Sequence, residues 1–417
     1  MEGVAVSAVD RLGLIGRNPV YRHLWAARVV SFVGDTMAQV ALVLTAYQVV
    51  GTGGAVGLLL LAQALPRLLG PLTGTLADRV DQRRLLLACD AAQALLFGLI
   101  ALALPPFPLL VGLVALASVL ATVSQPAGRG ALPALVDADD LTAANALLGA
   151  GVQASFSLGP ALGGLIVAAL GVRGALATDA LTFVLSAGLL TRLPALPPAP
   201  GTPGDAPAPG VLRETGLGLA FVARHRTARA VALGLFLTVA FAALDNVALV
   251  FLARRSLHAT ARDYGLLASA YGVGMVLASL LILRRSNRIA PAALFLLGVA
   301  LQGMGTALTG LAPVLAEAIV AQGMAGVGNS LENLGTTTLI QRTVPRPLLG
   351  RAFGIAFSAA SIAEAVAYAA GGVLLGLISP RAVFVLAGIG VLAALVFVWL
   401  LLPRAGSDVA EAISGHG

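Results

Sequence analysis

The stretch AVGLLLLAQALPRLLGPLTGTLADRVDQRRLLLACDAAQALLFGLIALAL, residues 55–104, decides the architecture. Two apolar runs, near 55–77 and 85–104, flank a short segment that carries Asp78, Arg79, Asp81, Arg83 and Arg84. Each run has the roughly 20 apolar residues that a helix needs to cross a bilayer. The segment between them is too short and too charged to be anything but a turn at a membrane face. The chain here crosses, turns on basic residues and returns.

The rest of the chain repeats this pattern. Of 417 residues 58% are hydrophobic and 11% charged, and the mean hydropathy is +0.94. Soluble domains carry about a quarter charged residues, so a soluble fold is excluded and no large soluble domain fits. Apolar runs near 22–50, 55–77, 85–104, 108–128, 141–170 and 174–193 are followed, after a gap, by runs near 229–253, 263–283, 289–311, 315–341, 349–378 and 381–403. The expectation is an all-α membrane protein of 12 transmembrane helices. Residues 1–193 form one six-helix bundle and 229–403 a second. Between them, 194–228 is a cytoplasmic linker rich in Pro, Ala and Gly, with an interfacial helix expected from about Val211 to Arg229; 404–417 is a cytoplasmic tail.

Basic residues mark the cytoplasmic side of a membrane protein. Placing the amino terminus inside puts most of the arginines there, among them Arg11, Arg17, Arg22, Arg79, Arg83, Arg84, Arg342 and Arg351. Few fall on the other side, and Arg254, Arg255 and Arg262 share one outer loop. Both termini are therefore expected in the cytoplasm, without a removable signal peptide, and the membrane is the bacterial inner membrane.

All 26 basic residues are arginine, so chemistry that needs a lysine is absent. A P-loop lacks its phosphate-binding lysine and a Schiff-base enzyme its amine. Cys89 stands alone and His23, His225, His258 and His416 are scattered, so neither a disulfide nor a metal site is expected. A membrane enzyme would need acids, histidines or cysteines clustered at one face, and a receptor an appended soluble domain. Neither is found in the sequence, and the chain reads as no enzyme.

The two halves repeat at an offset of about 208 residues. Val136 pairs with Val344, Leu141 with Leu349, Ala144 with Ala352 and Gly163-Gly164 with Gly371-Gly372. Two parallel six-helix repeats place a substrate site at their interface near the bilayer midplane.

The turn Gly74-Thr-Leu-Ala-Asp78-Arg79-Val-Asp81-Gln82-Arg83-Arg84 resembles the cytoplasmic loop signature of the major facilitator superfamily. Gly74, Asp78, Arg79 and Arg83 fit it, while Asp81 stands where that family has Gly and Gln82 where it has a basic residue. The resemblance implies a conformational latch made by Gly74, Asp78, Arg79 and Arg83, with Asp90 supporting the loop. In the fifth run, Gly159-Pro160-Ala-Leu-Gly163-Gly164 looks like the helix motif of the antiporter branches, with Gly159 and Gly163 on one face and Pro160 bending the helix. The stretches 126–147 and 341–354, with Asn18-Pro-Val-Tyr-Arg22-His-Leu-Trp25, resemble the bacterial exporter subgroup that includes enterobactin exporters and macrolide efflux proteins.

Charges inside a bilayer cost at least a few kcal/mol and are functional hypotheses by default. In the first run Arg28, Ser31, Asp35 and Gln39 recur at helical spacing and form one polar stripe; Gln63 and Arg67 are i,i+4 in the second. The second half offers Asp245, Asn246, Asn329, Glu332, Asn333, Glu364 and Tyr368. Proton coupling needs a carboxyl whose proton affinity is raised by desolvation and lowered when it meets water or a cation; Asp35, Glu332 and Glu364 are the candidates. Arg28, Gln39, Gln63, Arg67, Asp245, Asn246, Asn329, Asn333 and Tyr368 are expected in the substrate cavity, with Arg28 or Arg67 displacing the proton or binding an anionic substrate group. Asp179 and Glu317 read as lying nearer the outer surface.

The expected function is proton-coupled export, by alternating access, of an amphipathic small molecule such as a drug or siderophore through a largely apolar cavity. An uncoupled facilitator or importer is the alternative. The expected partners are a small-molecule substrate, protons and the lipid bilayer, with no nucleic acid, no cofactor and a monomeric chain.

Overall fold

Three early helices begin where a polar side chain satisfies the first free amides. Asn18 precedes Pro19, and its side chain accepts from the Tyr21 amide at 2.9 Å; this opens α2 (Pro19–Val49) behind the short α1 (Ala8–Arg17). Thr52 starts α3 (Gly53–Ala64), which tightens into a 3-10 turn over Leu65–Leu69. Asp81 starts α4 (Gln82–Ala103), and α4 ends at Leu104 in the left-handed region (φ 40°) ahead of two prolines. Then come α5 (Phe107–Gly130), a single turn Leu132–Leu135 and α6 (Leu141–Leu190).

This computed structural model describes residues 8–70, 73, 79–197, 226–283, 289–344 and 349–401. The later elements are α7 (Arg226–Ala242), α8 (Leu244–Phe251) with a π turn over Leu252–Ser256, α9 (Ala261–Leu283), α10 (Pro291–Leu311), α11 (Leu315–Thr343), α12 (Leu349–Leu377) and α13 (Pro380–Leu401). Among the described residues there is no strand, and nine helices are long and apolar enough to cross a membrane. The 50-residue α6 would run about 75 Å if straight, far more than one crossing. It breaks at Gly171, whose φ of 71° and ψ of −179° no helix contains, between the two apolar runs read from the sequence. The expected interfacial helix from 211 lies outside the described residues apart from Arg226–Arg229, which open α7; most of the linker and the tail also lie outside them.

Contacts divide the chain into two units. One holds Met1–Pro203 with Leu249–Val273, and the other holds Gly204–Ala248 with Gly274–Gly417. The division does not follow the sequence halves, because the end of α8, its π turn and the first part of α9 pack with the first unit.

In the first unit, α2 and the first part of α6 run side by side in the same direction. Tyr21 donates to the Ala144 carbonyl at 2.8 Å, Trp25 to Leu147 at 3.0 Å and Thr36 to Ser155 at 3.0 Å, so residue numbers climb together. Glycines allow the approach: a β-carbon on Gly163 would lie 2.7 Å from the Met37 carbonyl, and one on Gly159 would strike Thr36. Leu14, Tyr21, Leu24, Leu86, Leu132 and Leu190 fill the core at one end of this unit.

In the second unit, α10 and α11 run antiparallel along a second glycine seam. A β-carbon on Gly305 would lie 2.5 Å from the Ala325 amide and one on Gly335 2.5 Å from the Phe295 amide; Gly298 and Gly328 meet Glu332 and Gln302 still more closely. Arg381 at the start of α13 donates to the carbonyls of Gly310 and Ala312 at 3.1 and 2.6 Å, satisfying the end of α10. Large apolar side chains such as Leu102, Leu109, Leu377 and Ile389 are left exposed, as lipid-facing surfaces require.

Candidate functional site

The polar stripe of α2 opens onto a cavity of about 190 Å³ inside the first unit. Arg28, Ser31, Phe32, Asp35, Thr36 and Gln39 come from α2, and Gln63 and Arg67 from α3 and its 3-10 turn. The facing wall adds Gln93 and Phe97 of α4, Ser118, Thr122, Ser124 and Gln125 of α5, and Phe156 and Phe183 of α6. Five of the sequence candidates, Arg28, Asp35, Gln39, Gln63 and Arg67, therefore meet in one place. Hydrogen-bonding side chains outnumber apolar ones in the lining, yet the cavity wall they leave exposed is more apolar than polar. Serine, threonine and glutamine scattered along apolar helices converge once the helices pack.

Arg28 is buried, and among the described residues its one hydrogen bond is a long one, Nη1 to Ser124 Oγ at 3.4 Å. The guanidinium lies over the Phe32 ring, 4.9 Å from the centroid, and Gly128 leaves room for it, since a β-carbon there would sit 3.3 Å from Nε. Asp35 and Asp90 are its charged neighbours of opposite sign. Asp35 accepts no hydrogen bond among the described residues and faces the cavity.

Asp90 sits two turns into α4, fully buried, and accepts from Ser186 Oγ at 2.5 Å. The structure thus places it in the bundle interior, joined to α6; the Asp78 turn it was expected to support lies outside the described residues. Asp179 is fully buried as well. Its carboxylate accepts from Thr182 at 3.3 Å and lies against Gly34, where any β-carbon would strike it. Its other oxygen has no partner among the described residues. The sequence reading concerned the depth of Asp179 and not the direction it faces; its i,i+3 pairing with Thr182 in an otherwise apolar run was the available signal of an inward face.

Of the latch residues, Gly74 and Asp78 lie outside the described residues, and Arg79 is exposed. Arg83 donates to the Thr191 carbonyl at 2.7 Å, and its Nε reaches the Leu190 carbonyl at 3.4 Å, so it closes the end of α6. Asp81, which departs from the family pattern, caps α4 through the Arg84 amide at 2.8 Å and binds the Leu196 amide at 2.9 Å. The substitution gains two amide partners and fastens the chain beyond α6 to this turn.

The antiporter-type motif packs on two sides. Gly159 and Gly163 face α2, while Pro160 and Gly164 face Gly265 of α9. A β-carbon on Gly164 would lie 2.8 Å from Gly265 Cα, and one on Gly265 2.5 Å from the Pro160 carbonyl. Ser269 donates to the Ser157 carbonyl, and Gly272 meets Phe156 further along. The same unit holds a cation–π contact the sequence did not reveal. Arg255 lies 4.8 Å from the Phe251 ring and 5.9 Å from Tyr47, and donates to the Gly51 carbonyl at 2.7 Å. Its signal was its place among the few outer-loop arginines.

The remaining candidates belong to the second unit. Glu332 is buried in the α10–α11 seam with Thr238 nearby, and its Oε1 and the Thr238 hydroxyl both lack a hydrogen-bond partner among the described residues. Asp245 is buried at the start of α8 and Asn246 beside it is exposed. Asn333 donates to the Asn329 carbonyl and side chain at 3.0 Å, and Tyr368 donates to Glu364 Oε1 at 2.5 Å. No group of three His, Cys, Asp or Glu able to hold a metal occurs among the described residues.

Apolar helices packed on glycine seams around a polar, charged cavity define a membrane transporter of the major facilitator type. The transmembrane secretion effector family matches residues 16–412, and the chain belongs to it. The chain is 28% identical over 393 residues to the MFS-type transporter YfiS of Bacillus subtilis, covering 89% of this chain and 92% of that one. It is also 28% identical over 399 residues to the enterobactin exporter EntS of Citrobacter koseri, covering 94% and 92%. In fold it is similar to the nucleoside transporter NupG, with a TM-score of 0.79 at 12% identity over 92% of this chain and all of the other. The family and these relatives are transporters, and the chain is a multi-pass membrane protein.

Proposed function

We propose that this protein is a proton-coupled exporter of an amphipathic small molecule, with 12 spans, both termini in the cytoplasm and a place in the bacterial inner membrane. It works by alternating access as a monomer without a cofactor. The observation that carries the reading is the cavity on which Arg28 and Asp35 converge, in a chain whose relatives include a protein named an enterobactin exporter. Asp35 is the first proton carrier, because it faces the cavity where a proton and a substrate are exchanged. Glu332 and Glu364 are further carriers in the second unit. The small-residue contact of α6 with α9 and the Arg255 contact are seals that part during the cycle: backbones meeting through glycine separate and rejoin without side chains having to disentangle.

Everted vesicles with an imposed pH gradient test the reading. Accumulation of a drug or siderophore should follow the gradient and collapse when it is dissipated, and Asp35→Asn should abolish it while the protein still folds. Accumulation indifferent to both the gradient and Asp35→Asn would establish the uncoupled alternative.

A further inference from the structure

Arg28 is a charged group provided with less than it can use. A guanidinium carries five N–H donors in a planar fork, yet among the described residues Arg28 makes one hydrogen bond, at 3.4 Å and to a neutral hydroxyl. No carboxylate lies within 4 Å of it; among the described residues the ion pair at that range is Arg17–Asp140, far away on the chain. Its stem is held by the protein, because Gly128 makes room for Nε and the Phe32 ring covers one face. The side chain lines the cavity. A buried arginine that serves only the fold is paired or fully hydrogen-bonded; this one is positioned and left open.

We propose that the cavity takes an organic anion, whose charged oxygens sit on the Arg28 guanidinium while its apolar body lies against Phe97, Phe156 and Phe183. The planar fork suits the two oxygens of a carboxylate or sulfonate. Gln39, Gln63 and Gln125 supply neutral hydrogen bonds to the rest of the molecule. Asp35 lies seven residues along α2, about 10 Å on the helix axis, so the anion and the proton have separate seats. This inference rests on the cavity being the substrate site and adds the sign of the substrate's charge.

Calorimetric titration of the purified full-length chain in detergent with three matched probes tests it: 1-naphthoate, 1-naphthalenemethanol and 1-naphthylmethylammonium. Naphthoate should bind at least about tenfold more tightly than the alcohol or the ammonium, the order expected of charge-assisted hydrogen bonds. Arg28→Gln should cost naphthoate about tenfold and leave the alcohol unchanged, with Arg28→Lys between the two because a point charge replaces the fork. Equal binding of naphthoate and the alcohol, a preference for the ammonium, no saturable naphthoate binding, or an Arg28→Gln variant that binds naphthoate like the parent would each overturn the proposal. If Arg28→Gln does not fold, the ranking of the three probes on the unmodified chain decides. The binding assay needs no gradient. Arg28-dependent naphthoate binding without gradient-driven transport would sink proton-coupled export and leave the anion site standing; transport without that binding would do the reverse.

Discussion

The α2 stripe and the middle of α11 look alike as sequence, each an apolar run interrupted by polar and charged residues at helical spacing. Folded, they differ in what they face. Arg28 and Asp35 open onto a cavity, whereas Glu332 is buried where its helix backbone meets α10 along a glycine seam. A buried charge therefore becomes accessible or sealed through its neighbours' packing. Spacing on its own helix fixes a direction, and the opposite wall decides whether that direction leads to a ligand.

The largest expected effect tests the seal. Gly298→Leu would drive a side chain into the α11 backbone at Glu332, and overpacking of this kind costs about 1–3 kcal/mol and often more where backbone cannot move. Size-exclusion chromatography should show little monodisperse protein; a well-folded variant would mean that the seam is looser than described. Next, Glu332→Gln should lower gradient-driven accumulation in everted vesicles only in part, because Glu332 is buried in the α10–α11 seam and Asp35 remains to carry the proton. Asp35→Asn should keep almost none. Equal losses would put the two carriers on a par and break the contrast.

Gly128→Ala should act more gently. Its methyl would meet Arg28 Nε at 3.3 Å, so the guanidinium shifts by a few tenths of an ångström and naphthoate affinity falls about twofold to threefold, short of the tenfold of a lost charge. The smallest effect belongs to Tyr368→Phe, which removes one hydrogen bond to Glu364 and should cost about 1 kcal/mol, read as a small drop in thermal midpoint.

Much of this was legible beforehand because membrane helices leave strong marks. The helical architecture, the α2 stripe and the family followed from apolar runs, spacing and short motifs. Asp90 and Asp179 were harder to place. Sequence tells how far a residue lies from a helix end but not which turn of another helix it meets, and Asp90 turned inward to Ser186 of α6 while Asp179 turned inward against Gly34 of α2. The departure at Asp81 was visible as a mismatch, and its reason required the Leu196 amide, 115 residues away. The gathering of polar side chains around the cavity was hidden for the same reason. Its glutamines and serines are single residues on four helices, and only packing gathers them.

The parallel pairing of α2 with α6 bears on how the protein is made. Tyr21 and its partner Ala144 are separated by 123 residues, so α2 cannot acquire this neighbour until synthesis has passed that point. At translation rates of about 5–20 residues per second the delay is roughly 6–25 s. Throughout it, α2 carries Arg28 and Asp35 into a membrane that has no cavity yet to receive them. α2 thus stays without its neighbour until α6 has been made, and its survival in the bilayer depends on whatever shelters those two charges until then.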